Sequence, residues 1–480
     1  MSISDPAHAG YTTAETFDLI VIGMGSGAEV SAAGASRGWR TAVVESGPFG
    51  GTCLNRGCIP SKMLVHVANV ARTVRRARLF GIDATIDRID WDFIVQRVFS
   101  EIDADAASIE EVNRRAETVD VIKGDARFIA PKLLAVDGRR LTADTIVIAA
   151  GSRPGVPEIE GLDEARVHTS DDVMRLERRP ERLLIMGGGY VAAELGHVFE
   201  ALGTEVTIVN RGPLLLSDED DDVSSRFTQA YARRFDLRLD ADVTAVSQRG
   251  SEVALQVERD DRPEEVVGDA LLIATGRIPN ADLLDVEQCG IELDADGFIK
   301  TDAYMRTNVP GIWALGDIVG AYMLKHSANL EAAHVAHNLL HPDDLQPVDY
   351  HAMPRAIFGS PQVGSAGLLE REARERGVRH VVASYEYDQT AFGSSIEDHD
   401  GFVKVLADPD TGEILGCHIL GADASTLIQG VANLVRSRLT VDVMRRAIFV
   451  HPALPEVVQA TFAELPADVG ASHGHDADQT

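Results

Sequence analysis

The chain runs to 480 residues, 45% of them apolar, and carries a formal charge of −30 from 75 acidic against 45 basic side chains. That length is enough for about three domains, and no stretch reaches the ~20 apolar residues that a membrane-spanning helix requires. The acid excess excludes the basic face that phosphate backbones demand, so nucleic acid is not an expected partner. Four cysteines, Cys53, Cys58, Cys289 and Cys417, are too few for a disulfide scaffold. The first residues lack a basic region followed by an apolar core, and a cytoplasmic, reducing setting is expected. Lysine occurs only at positions 62, 123, 132, 300, 325 and 404, and acidic runs such as Asp218 to Asp222 lie between core segments. Two origins fit this charge: adaptation to a salty (halophilic) cytosol, where the Debye length shrinks to ~3 Å at 1 M, or an acidic chain from a GC-rich genome. The first is favoured.

In chain order, FDLIVIGMGSGAEVSAAG from Phe17 reads as a buried strand (Leu19 to Ile22), a glycine-rich turn and a helix of small residues. A second strand, Thr41 to Val44, ends at Glu45. Gly23 permits the tight turn, Gly25 lets a pyrophosphate approach the backbone, Ala28 keeps helix against strand, and Glu45 falls where a carboxylate bonds a ribose hydroxyl. Gly50-Gly51-Thr52 then leads into Cys53 and Cys58, followed by Lys62. A bare cysteine pair is either half a zinc site or a redox couple. Zinc takes about four ligands, the other cysteines stand alone, and His66 adds one imidazole, so redox use leads and no metal is expected. The glycines predict that the pair starts a helix whose N-terminal dipole favours a thiolate.

Thr145 to Gly151 closes this first unit. Arg182 to Gly212 repeats the strand–turn–helix–strand pattern, with Gly187, Gly189 and Ala192 in the same roles, and closes at Leu271 to Gly276, followed by Arg277. Two such units imply two dinucleotides. The second unit's strand ends in Asn210-Arg211, with an arginine for a 2′-phosphate and no acid for a ribose diol, which favours NADPH. Strand Ile312 to Leu315 presents Gly316-Asp317. From about Asp349, short strands and helices alternate, with an amphipathic segment near Ser425 to Arg438. His451 offers a proton carrier near neutral pH, with Glu456 five residues on to orient it. The ends, before about Thr16 and after about Pro466, read as disordered, with the tail histidines solvated.

These blocks, GGTCLNRGCIPSK (Gly50 to Lys62) above all, resemble the class I pyridine nucleotide–disulfide oxidoreductases from Phe17 to about Pro466. Within that family LKHSANLEAAHVAHNLL, YHAMPRAIFGSPQVG and HILGADASTLIQ with HPALPE are most similar to the mycothione reductase branch, and the chain also resembles glutathione reductase and dihydrolipoyl dehydrogenase. The resemblance implies an α/β fold with two Rossmann-like dinucleotide-binding domains plus a C-terminal α+β dimerisation domain. After a disordered 1–15, residues 16–155 would bind FAD and carry the cysteines, and 156–280 would bind NADP. Residues 281–348 would complete the FAD site, 349–466 would dimerise, and 467–480 would be a tail.

The same resemblance implies roles. Gly23, Gly25, Ala28, Glu45, Gly51, Thr52, Gly151 and Asp317 would hold FAD, with Asp317 on the ribityl chain. Gly187, Gly189, Tyr190, Ala192, Arg211, Gly276 and Arg277 would hold NADPH, with Tyr190 covering the nicotinamide pocket. A second arginine found in strongly NADPH-selective relatives is missing near Ser217, so NADH use stays open. Cys53 would be the interchange thiol and Cys58 would face the flavin. Lys62 and Glu194 would pair beside the isoalloxazine ring, where a cation stabilises charge on reduced flavin. His451 and Glu456 would serve the opposite subunit of a homodimer; Ala453 replaces a threonine common in relatives. The expected activity is reduction of a small-molecule thiol disulfide, of the mycothione or bis-γ-glutamylcystine type, by NADPH. The alternative is an NAD-dependent dihydrolipoyl dehydrogenase docked on an acyltransferase lipoyl domain. A flavin-binding interaction module is a third reading, which the intact Cys53, Cys58, His451 and Glu456 disfavour.

Overall fold

The computed structural model describes residues 13–260 and 262–470. They form two compact units. The first gathers the described residues through Pro60 with Val95–Gly155 and Arg277–Asp349; the second holds Ser61–Ile94, Val156–Gly276 and the described residues from Tyr350.

The first unit is built on strand Glu15–Ile22, whose Leu19, Ile20 and Val21 are fully buried. A strand covered on both faces reads as a continuous apolar run, as this one does. It pairs in parallel with Thr41–Glu45 on one side and Arg139–Ile148 on the other. Val119–Lys123 extends the sheet beyond Thr41–Glu45, and Ile312–Ala314 adds to Arg139–Ile148. The order therefore reverses at the first strand, where open α/β sheets present ligand sites at their carboxyl ends.

The second unit repeats the design with Arg182–Met186 between Glu205–Val209 and Ala270–Ile273, all parallel. Its C-terminal part is an antiparallel sheet with central strands Ile414–Gly421 and Phe402–Ala407, covered by helix Ala424–Arg436. That helix buries Ile428, Val431, Ala432 and Val435, so the amphipathic segment expected near Ser425 is present.

The expected ends need correction where the structure describes them. Glu15 already belongs to the first strand and pairs with Arg139 at 2.7 Å. Beyond Pro466, Val469 is buried in the C-terminal core and the Gly470 N–H donates to the Pro409 carbonyl at 3.1 Å. Burial of one apolar side chain and a backbone bond hold a segment whose composition alone reads as tail. The tail histidines lie outside the described residues. Among the described residues no helix is long and apolar enough to cross a membrane, and no group of three or more His, Cys, Asp or Glu could hold a metal ion.

Candidate active site

Cys53 and Cys58 come together as hydrogen-bonded thiols, but not on one helix as the sequence suggested. Cys53 lies in the six-residue helix Gly51–Arg56; the chain breaks at Gly57, and Cys58 opens helix Cys58–Arg76. Gly57 has to be glycine, because a Cβ there would lie 2.9 Å from the Thr52 carbonyl oxygen. Asn55, buried below the turn, donates its Nδ2 to the carbonyls of Phe49 and Gly51 at 2.9 Å each. Cys53 is half-buried and Cys58 exposed. The bond to Cys58 and burial push the Cys53 thiol up, while the ammonium of Lys325 pulls it down. Cys289 and Cys417 are buried, and burial pushes the Cys417 thiol well up, which makes it inert.

His451 and Glu456 also meet. The Glu456 carboxylate receives the His451 Nδ1 at 2.7 Å and the Ala453 N–H at 3.0 Å. Those two bonds hold the Glu456 carboxyl below the usual carboxylate range. With Nδ1 engaged, Nε2 is the ring nitrogen left for proton transfer. Residue 453 contributes to this pair through its backbone N–H. The approach to His451 is unusually bare: Ile448 is 100% and Val450 73% exposed.

Lys62, one helical turn after Cys58, pairs with Glu194 at 2.6 Å. Glu194 is buried and also accepts the Phe358 N–H at 2.9 Å, while the Lys62 ammonium lies 4.9 Å from the centre of the Phe358 ring. Tyr190 is exposed at the start of helix Tyr190–Ala201.

In the first unit, Gly23 adopts φ +96° and a Cβ there would sit 2.3 Å from the Ala149 carbonyl oxygen. Helix Gly27–Ser36 lies close against the first strand at two glycines, where a Cβ would lie 2.8 Å from Val21 (Gly27) and 2.7 Å from Leu19 (Gly34), with Ala28 half-buried beside Gly27. Gly51 presses on Gly25, a Cβ on the former being 2.8 Å from the latter's Cα. Glu45 accepts the N–H groups of Met24 and Gly47 at 2.8 and 2.9 Å, so it braces the turn. Asp317 accepts the Ser152 hydroxyl at 2.7 Å, and Arg277, expected beside the nicotinamide nucleotide, donates to Ser152 Oγ and its carbonyl at 2.8 Å each. Gly151 holds φ +66° just before Ser152, and Thr52 lies half-buried next to Cys53.

In the second unit, Gly187 has φ +116° and its Cβ would strike the Ala274 carbonyl oxygen at 2.2 Å, while Ala192 is fully buried. A Cβ on Gly189 or Gly276 would meet nothing within 4 Å, which leaves backbone open to a pyrophosphate. Asn210 is committed to the protein: its Nδ2 donates to the carbonyls of Gly212 and Leu214 at 3.0 Å. Arg211 is exposed and has no ion pair or hydrogen bond among the described residues. Both turns thus fit a dinucleotide. Within the acidic run that follows, Asp218, Asp221 and Asp222 are exposed, but Glu219 and Asp220 are buried: Glu219 accepts the Ser365 hydroxyl at 2.6 Å, and Asp220 receives Lys404 at 2.9 Å. Composition hid this latch, since its basic partner stands 184 residues away.

Comparison with known proteins gives this arrangement its family. The pyridine nucleotide-disulphide oxidoreductase family matches residues 17–338, and the dimerisation domain of those oxidoreductases matches residues 353–462. Mycothione reductase of Mycobacterium tuberculosis is 44% identical over 457 residues, spanning 93% of this chain and 98% of that protein. Glutathione reductase of Burkholderia cepacia is 34% identical, spanning 92% and 97%, and dihydrolipoyl dehydrogenase of Chlamydia muridarum 32%, spanning 92% and 95%. Among solved structures, the HOCl-induced flavoprotein disulfide reductase RclA of Escherichia coli superposes with a TM-score of 0.83 at 28% identity, covering 93% of this chain and 99% of its own. With both matches together covering most of the chain, it belongs to the pyridine nucleotide-disulphide oxidoreductases and is a flavoprotein disulfide reductase.

Proposed function

We propose that this protein is an FAD-dependent, NADPH-driven reductase of a low-molecular-weight thiol disulfide, of the mycothione or bis-γ-glutamylcystine type. It would act as a cytoplasmic homodimer through the match to the dimerisation domain. The observation that carries the reading is the bonded Cys53–Cys58 thiol pair, in a chain 44% identical to a mycothione reductase. NADPH rests on Arg211, a guanidinium without a partner among the described residues, just past strand Glu205–Val209, where a 2′-phosphate would be received.

Gly23, Gly25, Ala28, Glu45, Gly51, Thr52, Gly151 and Asp317 would hold FAD, and Gly187, Gly189, Tyr190, Ala192, Arg211 and Gly276 the NADPH. Arg277 is assigned instead to fixing Ser152, and through it Asp317. Bound FAD supplies two-electron exchange between the nicotinamide nucleotide and the cysteine pair. Lys62, neutralised by Glu194, keeps a cation one turn from Cys58.

The thiol half-reaction needs only the chain and its partner subunit. The Cys53 thiolate attacks one sulfur of the substrate disulfide; a Cys53–substrate bond forms, the substrate's S–S bond breaks, and the first thiol leaves. His451 of the partner subunit, oriented by its glutamate, gives that thiolate its proton. Cys58 then passes its proton to the partner's His451 and attacks the Cys53 sulfur; the Cys53–substrate bond breaks, the second thiolate takes that proton and leaves, and the protein disulfide closes. The pair loses two electrons and the substrate gains them.

The test is NADPH and NADH oxidation by purified, FAD-loaded enzyme in low and molar salt, with mycothione, bis-γ-glutamylcystine, glutathione disulfide and lipoamide. Fast NADPH use with one small thiol disulfide is expected. Preference for lipoamide with the NAD couple would make the protein a dihydrolipoyl dehydrogenase. The Cys53→Ser variant should keep its flavin and lose disulfide reduction; unimpaired turnover would remove Cys53 from its role.

A further inference from the structure

The second unit holds a cavity of about 330 Å³ whose lining includes neither cysteine of the redox pair and no residue of the glycine turns. That size is at the low end of the roughly 300–1,000 Å³ that small-molecule sites span. Helix Cys58–Arg76 contributes Arg75, the segment after it Asp87 and Arg88, and the far side is Arg179 and Gly203. Three arginines thus share the lining with one aspartate, in a chain of net charge −30. Arg88 is paired with Asp90. Arg75 and Arg179 have no carboxylate partner among the described residues.

Both guanidiniums are held by one arm. Arg75 Nη1 donates to the Ala201 carbonyl, and Arg179 Nη1 donates to Thr204 Oγ1 at 3.0 Å and to the Pro180 carbonyl at 3.4 Å. Nε and Nη2 of each have no partner among the described residues. The two forks border one small space over Gly203: a Cβ built there would lie 3.8 Å from Arg179 Nη1 and 3.9 Å from Arg75 Nη2. A glycine leaves that space open, and two like charges flanking it repel until an anion enters. Asp87 narrows the choice of anion. Its Oδ1 accepts the Thr85 hydroxyl at 3.2 Å, and Oδ2 is left without a partner among the described residues. A bare anion is repelled by that carboxylate, whereas a ligand hydroxyl donates to it. Val74, Ile89 and Leu202 add an apolar wall on which the C–H face of a sugar packs.

We propose that this cavity is a binding site for a sugar phosphate, with the phosphate monoester taken between Arg75 and Arg179 and a sugar hydroxyl donated to Asp87. A phosphate monoester carries about −1.5 to −2 charges at pH 7. Two guanidiniums match that charge, and their planar forks fit its oxygens. The ligand bridges the ends of two helices that the Lys62–Glu194 pair joins nearer their starts, since Arg75 belongs to Cys58–Arg76 and Gly203 follows Tyr190–Ala201.

The experiment is titration calorimetry of the FAD-loaded enzyme, in the presence of NADP, with glucose 6-phosphate, ribose 5-phosphate, inorganic phosphate and glucose. One of the two sugar phosphates should bind about tenfold or more tighter than inorganic phosphate, and glucose should give no binding. Arg179→Gln should weaken the sugar phosphate about 10–100-fold, with flavin content and the KM for NADPH unchanged. Arg75→Gln should do the same, and serves if the first variant does not fold. Asp87→Ala should bring the sugar phosphate to within about twofold of inorganic phosphate. No binding of either sugar phosphate at millimolar concentration overturns the proposal. So does equal affinity for inorganic phosphate in the parent enzyme, which would make the arginines a general attractor of anions. Binding that survives both arginine substitutions overturns it too, because the ligand then sits elsewhere.

Discussion

The two glycine-turn units share one backbone device and differ in everything hung on it. In each, a positive-φ glycine after the first strand comes so close to a later strand that a Cβ would lie 2.3 Å (Gly23) or 2.2 Å (Gly187) from a carbonyl oxygen. The helices that follow diverge. Gly27–Ser36 buries small residues, Gly27, Val30, Ser31 and Gly34, and so packs close to its sheet. Tyr190–Ala201 buries polar ones as well, and helix Cys58–Arg76 reads them in register: Lys62 on Glu194, Asn69 on His197 at 2.8 Å, and Arg75 on the Ala201 carbonyl. The strand ends diverge too. Glu45 is bonded to its own turn, whereas Asn210 takes up that bracing role and frees Arg211. On the proposed reading, the repeated turn is the shared dinucleotide cradle, while the helix face and strand end set the two units apart.

The largest test separates the turns. Gly23→Ala should abolish FAD retention, read as the ratio of flavin to protein absorbance. Gly187→Ala should keep the flavin but lose its rapid reduction by NADPH in stopped flow. Each forces a Cβ against a backbone carbonyl from a left-handed conformation. The opposite pattern would reverse the assignment of cofactors to units. A smaller effect is expected at the strand end. Arg211→Glu should raise the KM for NADPH by roughly 10–100-fold, the worth of one charge-assisted phosphate bond, and leave NADH nearly unchanged. Equal losses with both nucleotides would mean that Arg211 does not meet a 2′-phosphate.

Much of this was legible because it is local. The two glycine turns, the cysteine pair and the His451–Glu456 spacing are short-range patterns, and the structure shows both side-chain pairs bonded. What sequence missed was set by distant partners or by exclusion. Gly57 is required by the Thr52 carbonyl behind it, which no periodicity reveals. Arg277 follows the closing strand of the second unit in sequence yet bonds Ser152 in the first, because strands Arg277–Pro279 and Ser152–Pro154 pair. Within the acidic run at 218–222, the partners of Glu219 and Asp220 were not legible because Ser365 and Lys404 are far along the chain.

The least dramatic prediction concerns the helix face itself. His197 is wholly buried, with Nε2 on Asn69 and Nδ1 3.2 Å from the Arg234 guanidinium. Burial first, then the neighbouring Arg234 and Arg72, lower its pKa from 6.5 to about 3. The unfolded chain therefore takes up a proton below pH 6.5 that the folded chain refuses until about pH 3. Stability from this site is present above pH 6.5 and is lost as pH falls through that window. The loss amounts to about 1 kcal/mol at pH 6 and about 2 kcal/mol at pH 5. His197→Gln keeps an amide for Asn69 but does not titrate. Between pH 7 and pH 5 the thermal midpoint of the parent should fall by about 2–4 °C more than that of the variant. The first unit's glycine helix has no buried histidine, so the difference isolates the polar face of the second. If both proteins lose the same midpoint, His197 is already charged in the folded state, and the link from Asn69 to this helix is an ion–dipole contact rather than a neutral hydrogen bond.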